Sequence, residues 1–244
     1  MSILYNSLVM SGHSHFATIK RQKGLKDAAK GNIFGKLSKS ISLAIRAGGS
    51  ANPDMNFKLR VAIDKAKEQN MPKDNIDRIL KAASERADNI EEITYEGFGP
   101  FGIGVIVETA TDNKNRTAQE IKNLFEKGGG TMGGPNSVAY NFEDKGYLLV
   151  KKNDDVDTQT LSLIDLGADD IQEIDEGLEV YIMPDKLKEV SEKIKLAGFD
   201  VTKIELIKLP KNYVDLSEEQ VTKATNFLNS FEEHDDVQRV FSNF

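Results

Sequence analysis

From Tyr147 to Leu209 the spacing of apolar residues prescribes strand, helix, strand, strand, helix, strand, and few folds accept that order. Two-residue alternation runs over Tyr147–Lys151, helical spacing over Asp157–Leu166, and alternation again over Asp169–Ile174 and Leu178–Met183. A second helical stretch, Asp185–Ala197, leads into a last strand, Asp200–Leu209. This β-α-β-β-α-β succession is the ferredoxin-like order. On its N-terminal side lie a strand at Ile103–Glu108, a helix opened at Thr117 by a capping box ending at Glu120 and closed by Gly128, and a strand at Ser137–Phe142. On its C-terminal side lie a helix near Glu218–Phe231 and a strand near Val237–Phe241. The flanking pieces complete one another if residues 145–213 form an α+β domain inserted into a discontinuous one made of 91–144 and 214–244.

The first ninety residues follow a different period. Ile33, Phe34, Leu37, Ile41, Ala44 and Ile45 form one helical stripe, with Asn32 a candidate N-cap and Gly48-Gly49 the stop. A second helix follows Asn52-Pro53-Asp54, with Leu59, Ile63 and Ala66 inward. Pro72 suits the first turn of a third, whose stripe is Ile76, Ile79, Leu80 and Ala83. The fold expected is therefore α+β and multidomain: an arm over 1–24, a three-helix bundle over 25–90, and two ferredoxin-like α+β domains, one inserted in the other.

Charge divides the chain at the same place. Residues 1–90 hold 16 basic and 8 acidic side chains, a net +8, and the remainder carries −15. From Ser11 to Arg46 there are 8 basic residues against the single acid Asp27. A basic end on an acidic protein points to a polyanion partner. Lys36, Lys39 and Arg46 fall opposite the apolar stripe, which predicts a wet basic face on a packed helix. The candidate nucleic-acid contacts are Lys20, Arg21, Lys23, Lys26, Lys30, Lys36, Lys39 and Arg46. Phe16 either stacks a base or, with Ile19, pins the arm to the bundle.

Other chemistries find little in the sequence. There is no cysteine, so disulfides, thiolate nucleophiles and thiolate metal sites are excluded, in keeping with a reducing, cytoplasmic setting. No apolar run approaches the ~20 residues of a membrane-spanning helix. Met1–Met10 lacks a basic stretch and makes a poor signal peptide; translation from Met10 or a frayed tail accounts for it better. His13 and His15 lack acidic or thiol neighbours, so no metal site is expected there. His234 sits among Glu232, Glu233, Asp235 and Asp236, either a weak cation site or a solvated acidic turn. Gly97 to Gly102 spells G-x-G-x-x-G, but a strand follows it where a dinucleotide site needs a helix, and Pro100 removes an N–H. An irregular turn into the strand is expected instead. The polar loop Thr111–Thr117 could bind a ligand through Asp112 and Arg116, or serve as a satisfied turn into a helix. Gly128–Pro135 could form a phosphate nest or a mobile linker. No catalytic residues, metal or cofactor are expected.

Several ordered motifs carry a family resemblance. Gly12-His-Ser-His-Phe16, the segments Ala51–Pro53 and Lys65–Pro72, the run Tyr95–Pro100, Thr111–Thr117, Ser137–Tyr140 and the ending Asp235–Phe244 resemble the YebC/PmpR family. That family includes a mitochondrial translational activator of cytochrome oxidase. The resemblance spans about Gly12 to Phe244. It implies a helical bundle, two α+β domains and no enzymatic activity. It also implies a probable DNA-binding transcriptional regulator, or alternatively a ribosome-associated translation factor that binds ribosomal RNA and relieves stalling on proline-rich nascent chains. A protein-interaction scaffold is a third class. Phe16 stands where the family pattern has Trp, and His15 where Lys is common; both departures fall in the arm.

Overall fold

The structure is a computed structural model and describes residues 30–85 and 90–244. Three helices come first: α1 (Lys30–Gly48), α2 (Phe57–Glu68) and α3 (Lys73–Glu85). The stripe predicted for α1 is its inward face, with Leu37, Ile41, Ala44 and Ile45 packed against Leu59, Ala62, Ile63 and Ala66 of α2 and Ile76 of α3. Helix α1 already includes Asn32, so that residue is not its N-cap. Its end is as expected: Gly49 takes φ +66°, the left-handed turn that releases a chain from a helix. Asn56 joins α1 to α2. Its side chain accepts from Leu59 N–H and donates to the Ala44 and Ser50 carbonyls at 2.8 and 2.9 Å.

The first sheet has the order β3-β1-β2-β8 and is antiparallel throughout. It contains β1 (Glu91–Phe98), β2 (Gly104–Thr111), β3 (Thr131–Met132) and β8 (Val237–Ser242), with α4 (Lys114–Lys127) and α7 (Glu218–Glu232) across one face. Strand β1 was not anticipated from the sequence, because its first half is exposed and its apolar alternation is short. The 97–102 glycine segment is the β1–β2 turn: Phe101 and Gly102 take φ +64° and +77°, and Ile103 leads into β2. That outcome matches the turn expected there. Gly97 is required by close packing, since a Cβ there would lie 2.5 Å from the Thr131 carbonyl oxygen.

Two further local expectations fail. Helix α4 begins at Lys114 under Asn113, whose side chain accepts from Arg116 N–H at 3.2 Å. Thr117 is therefore not a cap but a buried residue of the first turn. Of the strand expected at Ser137–Phe142, only Phe142 is in a strand, and residues 137–141 are a loop ending in a 3-10 turn. The Glu96 carboxylate holds it, accepting from the Asn136, Val138 and Ala139 N–H groups at 2.8, 2.9 and 2.8 Å. Burial works against the Glu96 charge, but those donors outweigh it and hold the carboxyl below its ordinary range.

The second sheet contains β4 (Phe142–Val150), β5 (Asp170–Ile174), β6 (Gly177–Ile182) and β7 (Val201–Pro210) in the order β5-β6-β4-β7, antiparallel. With α5 (Val156–Asp165) and α6 (Leu187–Leu196) it realises the ferredoxin-like succession. The two sheets are joined by an apolar cluster in which Ile106 and Phe241 of the first meet Tyr147, Leu149, Tyr181 and Ile207 of the second. The bundle core shares no residue with the other clusters, although Phe57 of α2 packs against the core of the second sheet.

Candidate nucleic-acid interface

Of the eight basic residues singled out, Lys20, Arg21, Lys23 and Lys26 lie outside the described residues, and of Lys30 the structure describes only its place at the start of α1. The remaining three lie on one face of α1, and that face is turned onto the rest of the protein. Lys36 Nζ donates to the Glu232 carbonyl at 2.5 Å. Lys39 Nζ donates to Asp236 Oδ1 at 2.5 Å and approaches the Asp235 carbonyl at 3.4 Å. Arg46 donates to the Ile90 carbonyl at 2.9 Å. The wet basic face expected from helical geometry is thus partly covered. The covering turn is 196 to 197 residues away in sequence, beyond the reach of any local pattern.

Glu232 ends α7, where unpaired carbonyls carry the negative end of the helix dipole, so Lys36 sits where a cation is favoured. The contact also costs hydration. Burial lowers the Lys36 pKa from 10.5 to about 8, despite the raising effect of Glu232 and Asp235.

Asp236 is the centre of the covering turn. It is fixed by its backbone, since its carbonyl accepts from Ala110 N–H at 2.7 Å and its N–H donates to His234 Nδ1 at 3.1 Å. Its carboxylate accepts from Lys39, from Arg116 Nη2 at 3.0 Å and from the Thr117 hydroxyl at 2.7 Å. Thr117 Oγ1 lies 2.8 Å from Thr111 Oγ1, which accepts from Asn113 N–H at 2.9 Å. Burial opposes ionisation of Asp236, but the hydrogen bonds from Lys39, Thr117 and Arg116 prevail and hold the carboxyl far below its ordinary range. The 111–117 loop and the 232–236 turn, read from sequence as two unrelated polar segments, therefore make one network. A chain of hydroxyl, amide and carboxylate partners leaves no pattern at fixed spacing.

His234 Nε2 faces Glu120 Oε2 at 2.9 Å, so the histidine is a bracing residue of the turn and not merely solvated. Glu120, His234 and Asp236 can each offer one atom within 4.8 Å of the others, a spacing that suits a metal ion. The cationic positions beside Asp236 are, however, filled by Lys39 and Arg116. An open cavity of about 600 Å³ borders the network, lined by Lys39, Arg116, Glu120, Glu233, His234 and Asp235 among others. Glu179, also missed from sequence, is a buried carboxylate that accepts from the Tyr147 and Tyr181 hydroxyls at 3.2 and 2.9 Å. With both phenols buried and satisfied, it braces the second sheet.

A helical bundle seated by ion pairs on two antiparallel-sheet units defines a three-part α+β protein of the TACO1/YebC type. The profile described as "TACO1/YebC protein N-terminal domain" matches residues 14–86, and "TACO1/YebC second and third domain" matches 90–244. The chain belongs to this family. A relative from Thermoanaerobacter pseudethanolicus is 44% identical over 238 residues, 96% of each chain, and one from Dictyoglomus turgidum is 41% identical over 239 residues, again 96% of each. Both carry the name "probable transcriptional regulatory protein". The crystal structure of a conserved hypothetical protein from Aquifex aeolicus shares 39% identity and superposes with a TM-score of 0.80, over 89% of this chain and 91% of that one. Among the described residues no helix is long and apolar enough to cross a membrane.

Proposed function

We propose that this protein is a non-enzymatic, cytoplasmic regulator of gene expression that binds nucleic acid, acting as a DNA-binding transcriptional regulator through its basic N-terminal segment. The observation that carries this reading is the segregation of charge. Eight basic residues and one acid lie between Ser11 and Arg46, beside a body of −15 over residues 91–244. Extended nucleic acid is repelled by that body, so docking is confined to one end. The names of the curated relatives support the regulatory role.

The test is co-sedimentation with ribosomes in the presence of promoter-fragment competitors, alongside direct titration of duplex DNA against salt. A DNA regulator should prefer particular promoter fragments, and neutralising six to eight phosphates gives a log–log salt slope of about −5 to −7. Sedimentation with ribosomes that no promoter fragment displaces, together with equal affinity for all DNA sequences, would overturn the DNA assignment in favour of ribosomal RNA. Replacing Lys20, Arg21, Lys23, Lys36 and Lys39 by Ala should weaken either interaction.

A further inference from the structure

The bundle and the body meet differently from the two sheets. The two sheets are joined by interlocked apolar side chains. The bundle is attached by Phe57, which packs on the second-sheet core, and otherwise through its cations. Lys36, Lys39 and Arg46 of α1 reach Glu232, Asp236 and Ile90, while Arg60 and Lys65 of α2 face Glu192 at 3.5 Å and Glu205 at 3.3 Å. The exposed Arg60–Glu192 pair is of the weak, salt-screened kind.

We propose that the basic face of α1 is a phosphodiester-binding surface that the protein's own 232–236 turn covers, so that nucleic acid and the turn compete for Lys36 and Lys39. The inference rests on the nucleic-acid reading above and adds a mechanism of control to it. The turn offers the chemistry of a backbone phosphate: a carboxylate with two acceptor oxygens at Asp236, the helix-terminal carbonyl of Glu232 and the turn carbonyl of Asp235. Lys36 and Lys39, one helical turn apart, meet these acceptors side by side, as they would meet consecutive phosphates.

The network around Asp236 is built to survive separation. When Lys39 leaves, Asp236 keeps the Thr117 hydroxyl, the Arg116 guanidinium and both of its backbone bonds. No buried charge is stranded on the body. On the other side, Lys36 regains the hydration that its covered position denies it. The bundle has its own core of Leu37, Ile41, Leu59, Ile63, Ala66 and Ile76, and Phe57 is its apolar side chain that separation would uncover. Covering therefore lowers apparent affinity by the fraction of molecules that are open.

The full-length chain with Asp236→Asn tests this, using a duplex DNA and an RNA hairpin of equal length as probes. Weakening the clasp should tighten binding of whichever probe the wild type binds by about three- to tenfold at fixed salt, the range expected if one molecule in three to one in ten is open. Adding Lys36→Ala and Lys39→Ala to that variant should abolish the gain. Should Asp236→Asn fold poorly, Glu192→Gln with Glu205→Gln loosens the same seam from α2 and should act in the same direction. Because the chain has no cysteine, spin labels at Met55→Cys on the bundle and Leu196→Cys on the body, which are 78% and 88% exposed, report the separation of the two parts. Bound nucleic acid should shift or broaden their distance distribution. Folded clasp variants with wild-type affinity, or an unchanged spin–spin distance in the complex, overturn the covering model and leave nucleic-acid binding intact. If neither wild type nor variants bind either probe, the functional reading itself fails and the covering model falls with it.

Discussion

Lys39 and Asp236 stand 197 residues apart in sequence and share a charge-assisted hydrogen bond of 2.5 Å, with the lysine side chain 26% exposed and the aspartate 3%. This bond connects the part of the chain that carries positive charge to the part that carries negative charge. It also connects the bundle to the loop that opens α4, because the same carboxylate accepts from Thr117 and Arg116.

Thr117 should accordingly be intolerant of a shape-preserving apolar substitute. Thr117→Val keeps the volume but removes the donor to Asp236 and the partner of Thr111. A buried carboxylate deprived of one donor costs about 1–3 kcal/mol. Thermal or urea unfolding of the variant should show a loss of that size, with the Asp236 carboxyl titrating at higher pH by NMR.

Lys36 provides a pH signature of the docked bundle. Its pKa is about 8 when covered, against 10.5 when free, so between those values the separated state binds more protons. Docking is then favoured as pH rises from about 8 towards 10.5, and gains nothing from this group below 8. The expected result is a lysine Nζ titration with a midpoint near 8 in the wild type that moves up when the bundle is detached.

Glu96 titrates in the opposite sense. Its folded pKa is depressed, so the stability it confers is fully present above its unfolded pKa and is lost as pH falls through the folded one. Glu96→Gln replaces an acceptor with a donor opposite the Asn136, Val138 and Ala139 N–H groups. Loss of charged hydrogen bonds and a buried mismatch should cost about 2–4 kcal/mol at neutral pH. The difference between wild type and variant should shrink on acidification, as read by melting temperature against pH.

Phe231 tests how far the last segment of the chain belongs to the first sheet. It is fully buried, with its ring 4.7 Å from that of Phe125 and 5.0 Å from that of Phe227. Phe231→Ala should cost about 3–5 kcal/mol and loosen the face between α4 and α7. Hydrogen exchange should accelerate in β1, β2 and β8 while the second sheet keeps its protection.

Much of this architecture is legible in the order of residues. The apolar stripe of α1, the buried faces of α2 and α3 and the ferredoxin-like succession all depend on spacing between near neighbours, which the backbone periods of 3.6 and 2 impose. Strand β1 escaped because half of it faces water and carries no clean alternation. Ser137–Phe142 looked like a strand because its residues suit one, but the Glu96 carboxylate supplies the partners that a neighbouring strand would have supplied.

The site divides along the same line. That α1 is a helix with apolar residues on one side and Lys36, Lys39 and Arg46 on the other follows from local geometry alone, and so does the charge separation of the chain. What faces those cations does not follow from it. Glu232 and Asp236, which meet Lys36 and Lys39, are brought near only when α7 and β8 return to the first sheet, and Ile90, which meets Arg46, only when β1 takes its place there. Charge is a property of composition and survives any folding, whereas desolvation and pairing exist only once distant segments meet. The tertiary structure thus turned an expected open basic face into one whose Lys36 and Lys39 are covered by the protein's own acidic turn.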